Sequence, residues 1–442
     1  MKALGVHFPP LGLLYIAAYL EKEGHQVIIQ DLAVRKKKHE IDLRNYDVVG
    51  ISTDTTRHHQ SLGLAKRAKA DHCTVVMGGP HPGYVDEKIL STKKVDFIVH
   101  GEGELTFSEL IANLGQKGGS IDSVRGISFS HNGKVIRTPP RPFIEDLDHL
   151  PLPARHLITM DDYRKTKFGG REITSLITSR GCPGRCSFCS SPNFFGMKWR
   201  VRSVESVLKE LREVYHRYHF RAVAFVDDFF TVSPKRVIEL SRRMAEERLD
   251  LWWWNFSRIE PLLRNEEMVE EMVRAGAKAV YIGVESSNPK CLEEFQKQTD
   301  VESVIQAVEI LKKHGLEIHA SYILGGLHDT AKTIHDTIRF AKRLDTNVAQ
   351  FSILTPYPGT ALYDQVKHRI FWWRPWSFFD AQHLVFKHNH LSFIRLEWLL
   401  LKANLLYYTR SKKAVQDIWH HIKKHRLGIR TLFRFIKDYF WG

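Results

Sequence analysis

Short runs of β-branched and aromatic residues alternate with helical segments along the first 116 residues of this 442-residue chain. The runs are QVIIQD, DVVGIS, CTVVMGG and VDFIVHGEGE, and the segments between them include SLGLAKRAKA. This alternation favours a parallel sheet, because parallel strands need a crossover helix between them. We therefore predict an N-terminal α/β domain over residues 1–140, a Rossmann-like doubly wound parallel sheet that binds ligands at the carboxyl ends of its strands.

A proline-rich stretch separates this domain from a second block of alternation. Before it, Asn132-Gly133 in ISFSHNGKVIRT predicts a hairpin turn. The stretch itself, residues 141–165, has three prolines and no sustained period, which is typical of a linker. Six strand runs follow, namely EITSLITS, AVAFVDD, LWWWNFS, AVYIGVES, IHASYIL and VAQFSIL. Their spacing predicts a partial (β/α)6 TIM-type barrel over residues 166–364.

Polar residues and glycines follow directly after the runs of the predicted barrel. Since the carboxyl ends of barrel strands lie on one face, we expect these residues to share one site. The alternative for the acidic pair is a solvated loop, for the arginine a structural ion pair, and for the glycines ordinary turns. The residues are Cys182, Asp227, Asp228, Arg258, Glu285, Gly325 and Gly326.

Three of the five cysteines lie within GCPGRCSFCSSP, as Cys182, Cys186 and Cys189. A structural zinc site needs four ligands, and His156 and His216 are remote in sequence. A redox pair would leave one cysteine unexplained, and three inert buried thiols are the remaining alternative. Three thiolates suit a [4Fe–4S] cluster with one open iron, which is the interpretation that ligand count and spacing favour.

The C-x3-C-x2-C spacing, directly after a barrel strand and with an aromatic residue before the last cysteine, resembles the radical S-adenosylmethionine (radical SAM) superfamily. The resemblance implies that the three cysteines are catalytic metal ligands. Their cluster would bind the amino and carboxylate groups of S-adenosylmethionine and split it to a 5′-deoxyadenosyl radical. It further implies S-adenosylmethionine contacts at Phe188, Asp227, Asp228, Arg258, Glu285 and Ser286.

The first domain is similar to the cobalamin-binding domain of the cobalamin-dependent radical SAM subfamily. PPLGLLYIAAYLEKEGHQV, VGIST, VVMGGPHP, VDFIVHGEGE and IEDLDHLPLPA carry the resemblance. D-x-H-x-x-G is absent, so we expect no histidine below the cobalt. The alternatives are a vestigial nucleotide-like domain and, for the histidine of GGPHP, a solvated loop position. The implied cobalamin contacts are Ser52, Thr53, Gly78, Gly79, His81, Gly101 and Glu102.

Residues 365–442 form a basic, aromatic C-terminal region. They hold 15 Lys or Arg against 4 Asp or Glu, together with 17 aromatic residues, in a chain of net charge +15. We predict a mainly helical region in which LSFIRLEWLLLKANLLYY packs on the barrel. KKHRLGIRTLFRFIKDYFW alternates basic and apolar residues by helical turn, which favours contact with an anionic membrane surface over nucleic acid.

Together these patterns predict a cobalamin-dependent radical SAM enzyme that methylates an unactivated carbon of a large or hydrophobic substrate. The first alternative is an oxidative cyclase or hydroxylase of the anaerobic magnesium-protoporphyrin monomethyl ester cyclase type. The second is a non-catalytic iron–sulfur protein with Cys291 as a fourth ligand. We expect flavodoxin or ferredoxin as electron donor and a cytoplasmic location with contact to the inner membrane face. Pro9, Pro10 and Gly12 argue against a spanning helix at the N-terminus.

Overall fold

The computed structural model describes residues 7–34, 42–116 and 119–410. The first domain is one sheet of five strands in the order β1-β2-β3-β4-β5, packed against helices. Two hydrophobic clusters fill its core, on either side of the sheet. Its strands are β1 (Val48–Ser52), β2 (Thr74–Gly78), β3 (Phe97–Val99), β4 (Ile127–His131) and β5 (Lys134–Arg137), and its helices are α1 (Leu11–Lys22), α2 (His58–Ala70), α3 (Asp86–Leu90) and α4 (Gly103–Gly115).

The structure confirms the predicted Rossmann-like sheet and differs from the prediction in two details. The first three strands are parallel, but the predicted hairpin joins them as an antiparallel extension, with Asn132 and Gly133 at positive φ in its turn. The run QVIIQD pairs with no strand in the described part of the chain, so the predicted strand is absent there. The domain is therefore α/β with a mixed sheet.

The second domain is a curved sheet of seven strands, in the order β14-β13-β12-β11-β10-β7-β6. Six of them are parallel and β6 is antiparallel at one edge, which confirms the six-stranded partial barrel. The strands of this sheet are β6 (Lys167–Phe168), β7 (Arg171–Leu176), β10 (Ala222–Phe225), β11 (Trp252–Ser257), β12 (Ala277–Glu285), β13 (Glu317–Leu324) and β14 (Val348–Ile353). A separate two-stranded sheet consists of β8 (Ser179–Arg180) and β9 (Arg200–Val201).

Helices cover the outer face of this sheet and enclose the largest hydrophobic cluster of the molecule. Each parallel connection contains at least one helix, as a right-handed crossover requires. The helices are α5 (Ser191–Phe195), α6 (Val204–Arg212), α7 (Pro234–Glu246), α8 (Ile259–Arg264), α9 (Glu266–Arg274), α10 (Pro289–Glu294), α11 (Val301–Lys313) and α12 (Ala331–Leu344).

Aromatic side chains line the inner face of the open barrel. The parallel register sets Phe256 opposite Tyr281 and Tyr281 opposite His319. Their rings lie 5.1 and 4.5 Å apart, and Trp254 lies 5.2 Å from Phe256. Phe256, Tyr281 and His319 are only half-buried. The barrel interior is thus an aromatic wall with open surface.

The C-terminal region packs on the barrel through α13 (Ala361–Val366) and α14 (Phe393–Tyr408). Helix α14 contacts β14 and α12 and buries one apolar face, which confirms the predicted packing. The segment KKHRLGIRTLFRFIKDYFW lies outside the described residues. No helix in the described ranges is both long and apolar enough to span a membrane.

Candidate active site

The cysteine loop connects two short antiparallel strands, β8 and β9, at the carboxyl end of the barrel. Gly181 opens the loop at φ +84°, and a Cβ there would lie 2.2 Å from the Lys198 carbonyl oxygen, so only glycine fits. The Cys182 N–H donates to the Gly196 carbonyl at 3.1 Å, and the Cys189 N–H donates to the Cys186 carbonyl at 3.1 Å. The backbone therefore curls tightly around the three thiols.

Contacts with the segment after β12 fix the middle of this loop. The Ser187 N–H donates to the Phe295 carbonyl at 3.2 Å, and the Ser187 hydroxyl donates to the Glu294 carbonyl at 2.9 Å. The Phe188 ring stands edge-on to Phe295, with centroids 5.3 Å apart. Phe188 thus helps to hold the loop, and its contact with S-adenosylmethionine stays a prediction.

The three loop thiols are free, so all three can act as metal ligands. A structural zinc ion takes four protein ligands, whereas three thiolates can each bind a different iron of a [4Fe–4S] cluster and leave the fourth iron open. The ligand count of the loop therefore fits the cluster.

Burial keeps the Cys182 and Cys189 thiols protonated until metal binds. It raises the pKa of Cys189 to about 12 and also raises the pKa of Cys182. Iron must displace these protons, since the thiolate is the ligand. The site is thus built for metal coordination rather than for a free reactive thiol.

The other two cysteines lie in separate, fully buried places. The Cys73 thiol donates to the Leu43 carbonyl at 3.2 Å in the first domain. The Cys291 sulfur accepts from the Asn288 side-chain amide at 3.3 Å and packs against the backbone of Gly326. Burial raises the pKa of Cys291, as in an inert core thiol. The contacts of Cys291 give no support to a fourth cluster ligand.

Arg258 shares a notch with Cys182 beside Gly184. A Cβ on Gly184 would lie 2.8 Å from Nη1 of Arg258 and 3.4 Å from the Cys182 sulfur. Nε and Nη2 of Arg258 are buried without a hydrogen-bond partner, and the nearest Glu260 oxygen is 3.7 Å from Nε. Buried guanidinium donors need an acceptor, so this site fits the carboxylate of a bound ligand.

The adjacent aspartates differ in their surroundings. Asp227 is fully buried and accepts from the Thr178 N–H at 3.0 Å, the Thr178 hydroxyl at 2.9 Å and the Ser179 hydroxyl. Asp228 has open surface, yet its pKa is raised because protein around it removes water, and it lies in the electrostatic range of Cys182. Asp227 therefore positions the strand before the cysteine loop, whereas Asp228 is available to a ligand.

A buried ion pair after β12 adds a residue that the sequence did not indicate. The Lys297 ammonium lies 2.8 Å from Oε1 of Glu285, and both side chains are almost fully enclosed. Burial alone would lower the pKa of Lys297, but Glu285 and Cys186 outweigh it and raise the pKa. Lys297 in FQKQTD reads as a surface lysine, so only tertiary contacts could find it.

Ser286 and the two strand-end glycines have structural contacts. The Ser286 hydroxyl accepts from the Asn288 N–H at 3.0 Å, and the N–H groups of Gly325 and Gly326 donate to Asp329 at 3.0 and 3.1 Å. These bonds order the loops after β12 and β13. A contact between Ser286 and S-adenosylmethionine stays a prediction that these bonds do not support.

The carboxyl edge of the first sheet exposes backbone. The Thr53 N–H donates to the Gly78 carbonyl at 3.0 Å, and a Cβ on Gly79 would lie 2.5 Å from the Thr53 carbonyl oxygen. Ser52 is exposed beside them, and Gly101 has φ +65° with nothing nearer to its Cβ position than the Phe194 carbonyl at 3.8 Å. A large flat ligand can therefore approach Ser52 and Gly101 closely, whereas Thr53 is buried.

His81 is buried, so the solvated alternative for it is wrong. Its Nδ1 lies 3.1 Å from the Thr55 hydroxyl, whereas its Nε2 has no partner. The rings of His58 and Trp376 lie 5.0 and 5.1 Å from it, and burial lowers the pKa of His81 to about 3 and that of His58 to about 4. A contact between His81 and cobalamin stays a prediction, because the ring is fully buried. No local pattern in the sequence indicates His58 or Trp376 as part of this site.

Glu102 differs from the other predicted cobalamin contacts. Its carboxylate accepts from Arg180 and Arg200, which stand on either side of the cysteine loop. The carboxyl edges of the two sheets therefore meet at this residue.

A partial barrel with three converging thiols, joined to an α/β domain with an open carboxyl edge, defines an iron–sulfur enzyme with a second ligand-binding domain. Residues 176–341 match the model of the Radical SAM superfamily, and residues 2–111 match that of the B12 binding domain. The chain belongs to the cobalamin-dependent radical SAM methyltransferase family. Its cofactors are a [4Fe–4S] cluster, S-adenosylmethionine and cobalamin.

Named relatives and a solved structure support the assignment. An uncharacterized methyltransferase of Pyrococcus horikoshii is 37% identical over 98% of this chain and 95% of the relative. The hopanoid C-3 methylase of Methylococcus capsulatus is 30% identical over 85% and 72%. The anaerobic magnesium-protoporphyrin IX monomethyl ester cyclase of Rubrivivax gelatinosus is 27% identical over 82% and 67%. The methyltransferase TsrM of Kitasatospora setae, with cobalamin and a [4Fe–4S] cluster bound, has the same fold, with a TM-score of 0.70 and 19% identity over 82% and 72%.

Proposed function

We propose that this enzyme methylates an unactivated carbon of a large, hydrophobic substrate between its two domains. The observation that carries the proposal is the junction of the two carboxyl edges, where Glu102 of the first domain contacts Arg180, two residues before Cys182. When bound, the cluster and S-adenosylmethionine supply a 5′-deoxyadenosyl radical and methylcobalamin supplies the methyl group. Contact between the carboxyl edges of the two sheets suits a reaction that uses the cofactors of both domains.

The chain's own residues divide the binding work. Cys182, Cys186 and Cys189 hold the cluster. Arg258 takes the methionyl carboxylate with its unpaired N–H groups, and Asp228 faces the methionyl amino group. The backbone at Gly79 and Gly101 and the neutral ring of His81 hold cobalamin, as the sequence analysis predicts for all seven edge residues.

The aromatic wall of the barrel supports an apolar substrate. Phe256, Tyr281 and His319 present half-buried rings to the interior, and flat apolar groups pack well on such rings. The names of two relatives, a hopanoid methylase and a porphyrin cyclase, also denote large and largely apolar substrates. Tyr281→Ala should raise KM for the substrate more than it lowers kcat, because it removes binding surface rather than reacting groups.

The outer face of α14 supports membrane-surface contact. Ile394, Trp398 and Leu405 are 68, 53 and 56% exposed along it, and Trp372 beside it is 93% exposed. The Lys402 ammonium lies 5.0 Å from the Trp398 ring, so basic and aromatic groups share this face. Tryptophan with lysine is typical of helices that lie at a lipid interface.

Flotation of the full chain with vesicles tests that contact. We expect it to float with anionic vesicles and less with zwitterionic ones, and Trp372→Ser with Trp398→Ser should reduce flotation several-fold. Ile28→Ser is the matched control, since Ile28 is 63% exposed on the first domain. Equal flotation of the double variant and the control would contradict membrane contact through α14.

The net charge of +15 also suits a small acidic electron carrier such as flavodoxin or ferredoxin as electron donor.

The cyclase alternative has weaker support, because the cyclase relative is less similar to this chain than the relative named methyltransferase. Products of S-adenosylmethionine separate the two reactions. We would reconstitute the full chain anaerobically with iron, sulfide and cobalamin, add a strong reductant and the apolar fraction of host cells as substrate, and compare Cys186→Ala. Methyl transfer predicts 5′-deoxyadenosine and S-adenosylhomocysteine together from the wild type. Formation of 5′-deoxyadenosine alone would favour the cyclase. Absence of both products would contradict the proposal.

A further inference from the structure

We propose that Glu102 is a positioning residue that links the two cofactor sites, so that cobalamin binding stabilises the iron–sulfur cluster and the cluster tightens cobalamin binding. The inference rests on the proposed function, since it needs both cofactors in one chain. It goes beyond the predicted role of Glu102 as a simple cobalamin contact.

The link is a buried carboxylate held between two arginines. Nη1 of Arg180 lies 2.9 Å from Oε1 of Glu102, and Nη1 of Arg200 lies 2.9 Å from each oxygen of the same carboxylate. The side chains of all three residues are 5% exposed or less. Arg180 and Arg200 are paired residues of β8 and β9, the two strands at the base of the cysteine loop.

Further hydrogen bonds make this joint, formed by Glu102, Arg180 and Arg200, a rigid unit. Arg180 also donates to Glu104 at 2.6 Å, so two arginines face two glutamates and the charges balance. Arg200 donates to the Ile144 carbonyl at 2.7 Å, and the Ile144 N–H donates to Glu102 at 2.8 Å. A movement of the Glu102 carboxylate therefore carries both strands with it.

Both ends of the joint lie next to a cofactor site. Gly101, the residue before Glu102, belongs to the open edge where cobalamin is predicted, and its φ is +65°. Arg180 is followed by Gly181 at φ +84° and then by the ligand Cys182. A ligand that fixes Gly101 thus fixes the start of the cysteine loop through Glu102, Arg180 and Gly181.

The energetics of buried ion pairs favour a positioning role. A buried pair contributes little net stability compared with apolar residues of the same volume, whereas loss of one partner leaves an uncompensated charge. Two sites joined by such a unit must influence each other equally, because binding free energies are reciprocal. The coupling is therefore measurable from either cofactor.

The chain offers a matched control in Glu210. Its carboxylate is fully buried and also bridges two arginines, Arg155 at 2.5 Å and Arg202. This second joint also reaches the first domain, because Arg202 donates to the Tyr15 hydroxyl at 3.2 Å, but among the described hydrogen bonds and ion pairs it has none to Gly101 or Glu102. Glu210→Gln and Glu102→Gln remove equivalent buried charges, so both should destabilise folding, but only Glu102→Gln should uncouple the cofactors.

The experiment measures coupling in the full chain. The fraction of chains that keep iron at equilibrium with a competing chelator is measured with and without hydroxocobalamin, and the cobalamin Kd is measured with and without the cluster. We expect at least a fivefold effect in the wild type and in Glu210→Gln, in both directions, and less than twofold in Glu102→Gln. Glu104→Gln, which removes one arm of the joint, should give an intermediate value if Glu102→Gln does not fold.

The outcomes separate this inference from the proposed function. Wild type that binds both cofactors without mutual effect, or Glu102→Gln with undiminished coupling, would overturn the link alone. Wild type that binds no cobalamin would overturn the proposed function instead.

Discussion

In our proposal, the cysteine loop and the carboxyl edge of the first sheet bind their ligands by different means. The loop has three free thiols, the buried guanidinium of Arg258 with two unpaired nitrogens, and the exposed carboxylate of Asp228. The first sheet has backbone at glycines and the buried neutral rings of His58 and His81, each with one unpaired nitrogen. We therefore propose that charge and coordination bind a cluster with a zwitterionic ligand, whereas shape and neutral polar groups bind a broad flat one.

The largest effect should come from removing a cluster ligand. Cys186→Ala leaves two thiolates, so we expect loss of the cluster and at least a thousandfold loss of 5′-deoxyadenosine formation. Cys291→Ala is the control, since its thiol is a buried core group, and it should keep full iron content. Iron analysis and the visible absorption of the cluster measure both. Loss of iron in Cys291→Ala would revive the structural-cluster alternative.

A smaller loss is expected at Arg258, where charge binds the ligand. Arg258→Gln removes the cation that we propose binds the methionyl carboxylate, and we expect S-adenosylmethionine to bind about 10- to 100-fold more weakly, in line with a buried charge-assisted pair. Glu260→Gln should change the affinity less than threefold, because that carboxylate lies 3.7 Å from Nε. Equal losses of affinity in Arg258→Gln and Glu260→Gln would show that the ion pair between these residues, not a contact of Arg258 with the ligand, determines the affinity. Equilibrium binding to the cluster-loaded protein measures this.

Neutral contacts should contribute less than charged ones. His81→Leu removes one polar contact from the first sheet, and we expect about a tenfold increase in the cobalamin Kd with normal cluster content. His59→Leu, at an exposed position of α2, should leave the Kd unchanged. Loss of iron in His81→Leu would contradict the distinction between the cysteine loop and the first sheet, because the variant should weaken cobalamin binding alone.

The smallest effect concerns stability at mild acid pH. Because burial lowers the folded-state pKa of His81 to about 3 and of His58 to about 4, the unfolded chain binds more protons between about pH 4 and the unperturbed value near 6.5. Stability from these rings is fully present above pH 6.5 and is lost as the pH falls. Thermal unfolding of the wild type should therefore show a lower Tm at pH 5 than at pH 7, and His58→Asn with His81→Asn should flatten that slope. An unchanged slope would contradict the burial of both rings.

The sequence predicts the parts of this molecule that depend on local pattern. The six barrel strands and the cysteine loop follow from periodicity and spacing, and both agree with the structure. The mixed first sheet could not be predicted, because whether ISFSHNGKVIRT joins that sheet depends on pairing with β3. Lys297, His58 and Trp376 were missed for the same reason, since each acquires its role from residues more than ten positions away.

Glu102 shows the limit most clearly. Its place in GEGE after a strand predicts a ligand contact, but its partners Arg180 and Arg200 lie 78 and 98 positions away. No local pattern reveals such a joint between domains.

The most direct test of the account is the cofactor content of the full chain after anaerobic reconstitution with iron, sulfide and cobalamin. Iron, sulfide and cobalt analysis, with electron paramagnetic resonance of the reduced protein, should give one [4Fe–4S] cluster and one cobalamin per chain. A full cluster without bound cobalt would contradict the two-site account, because the first domain would then serve no cofactor.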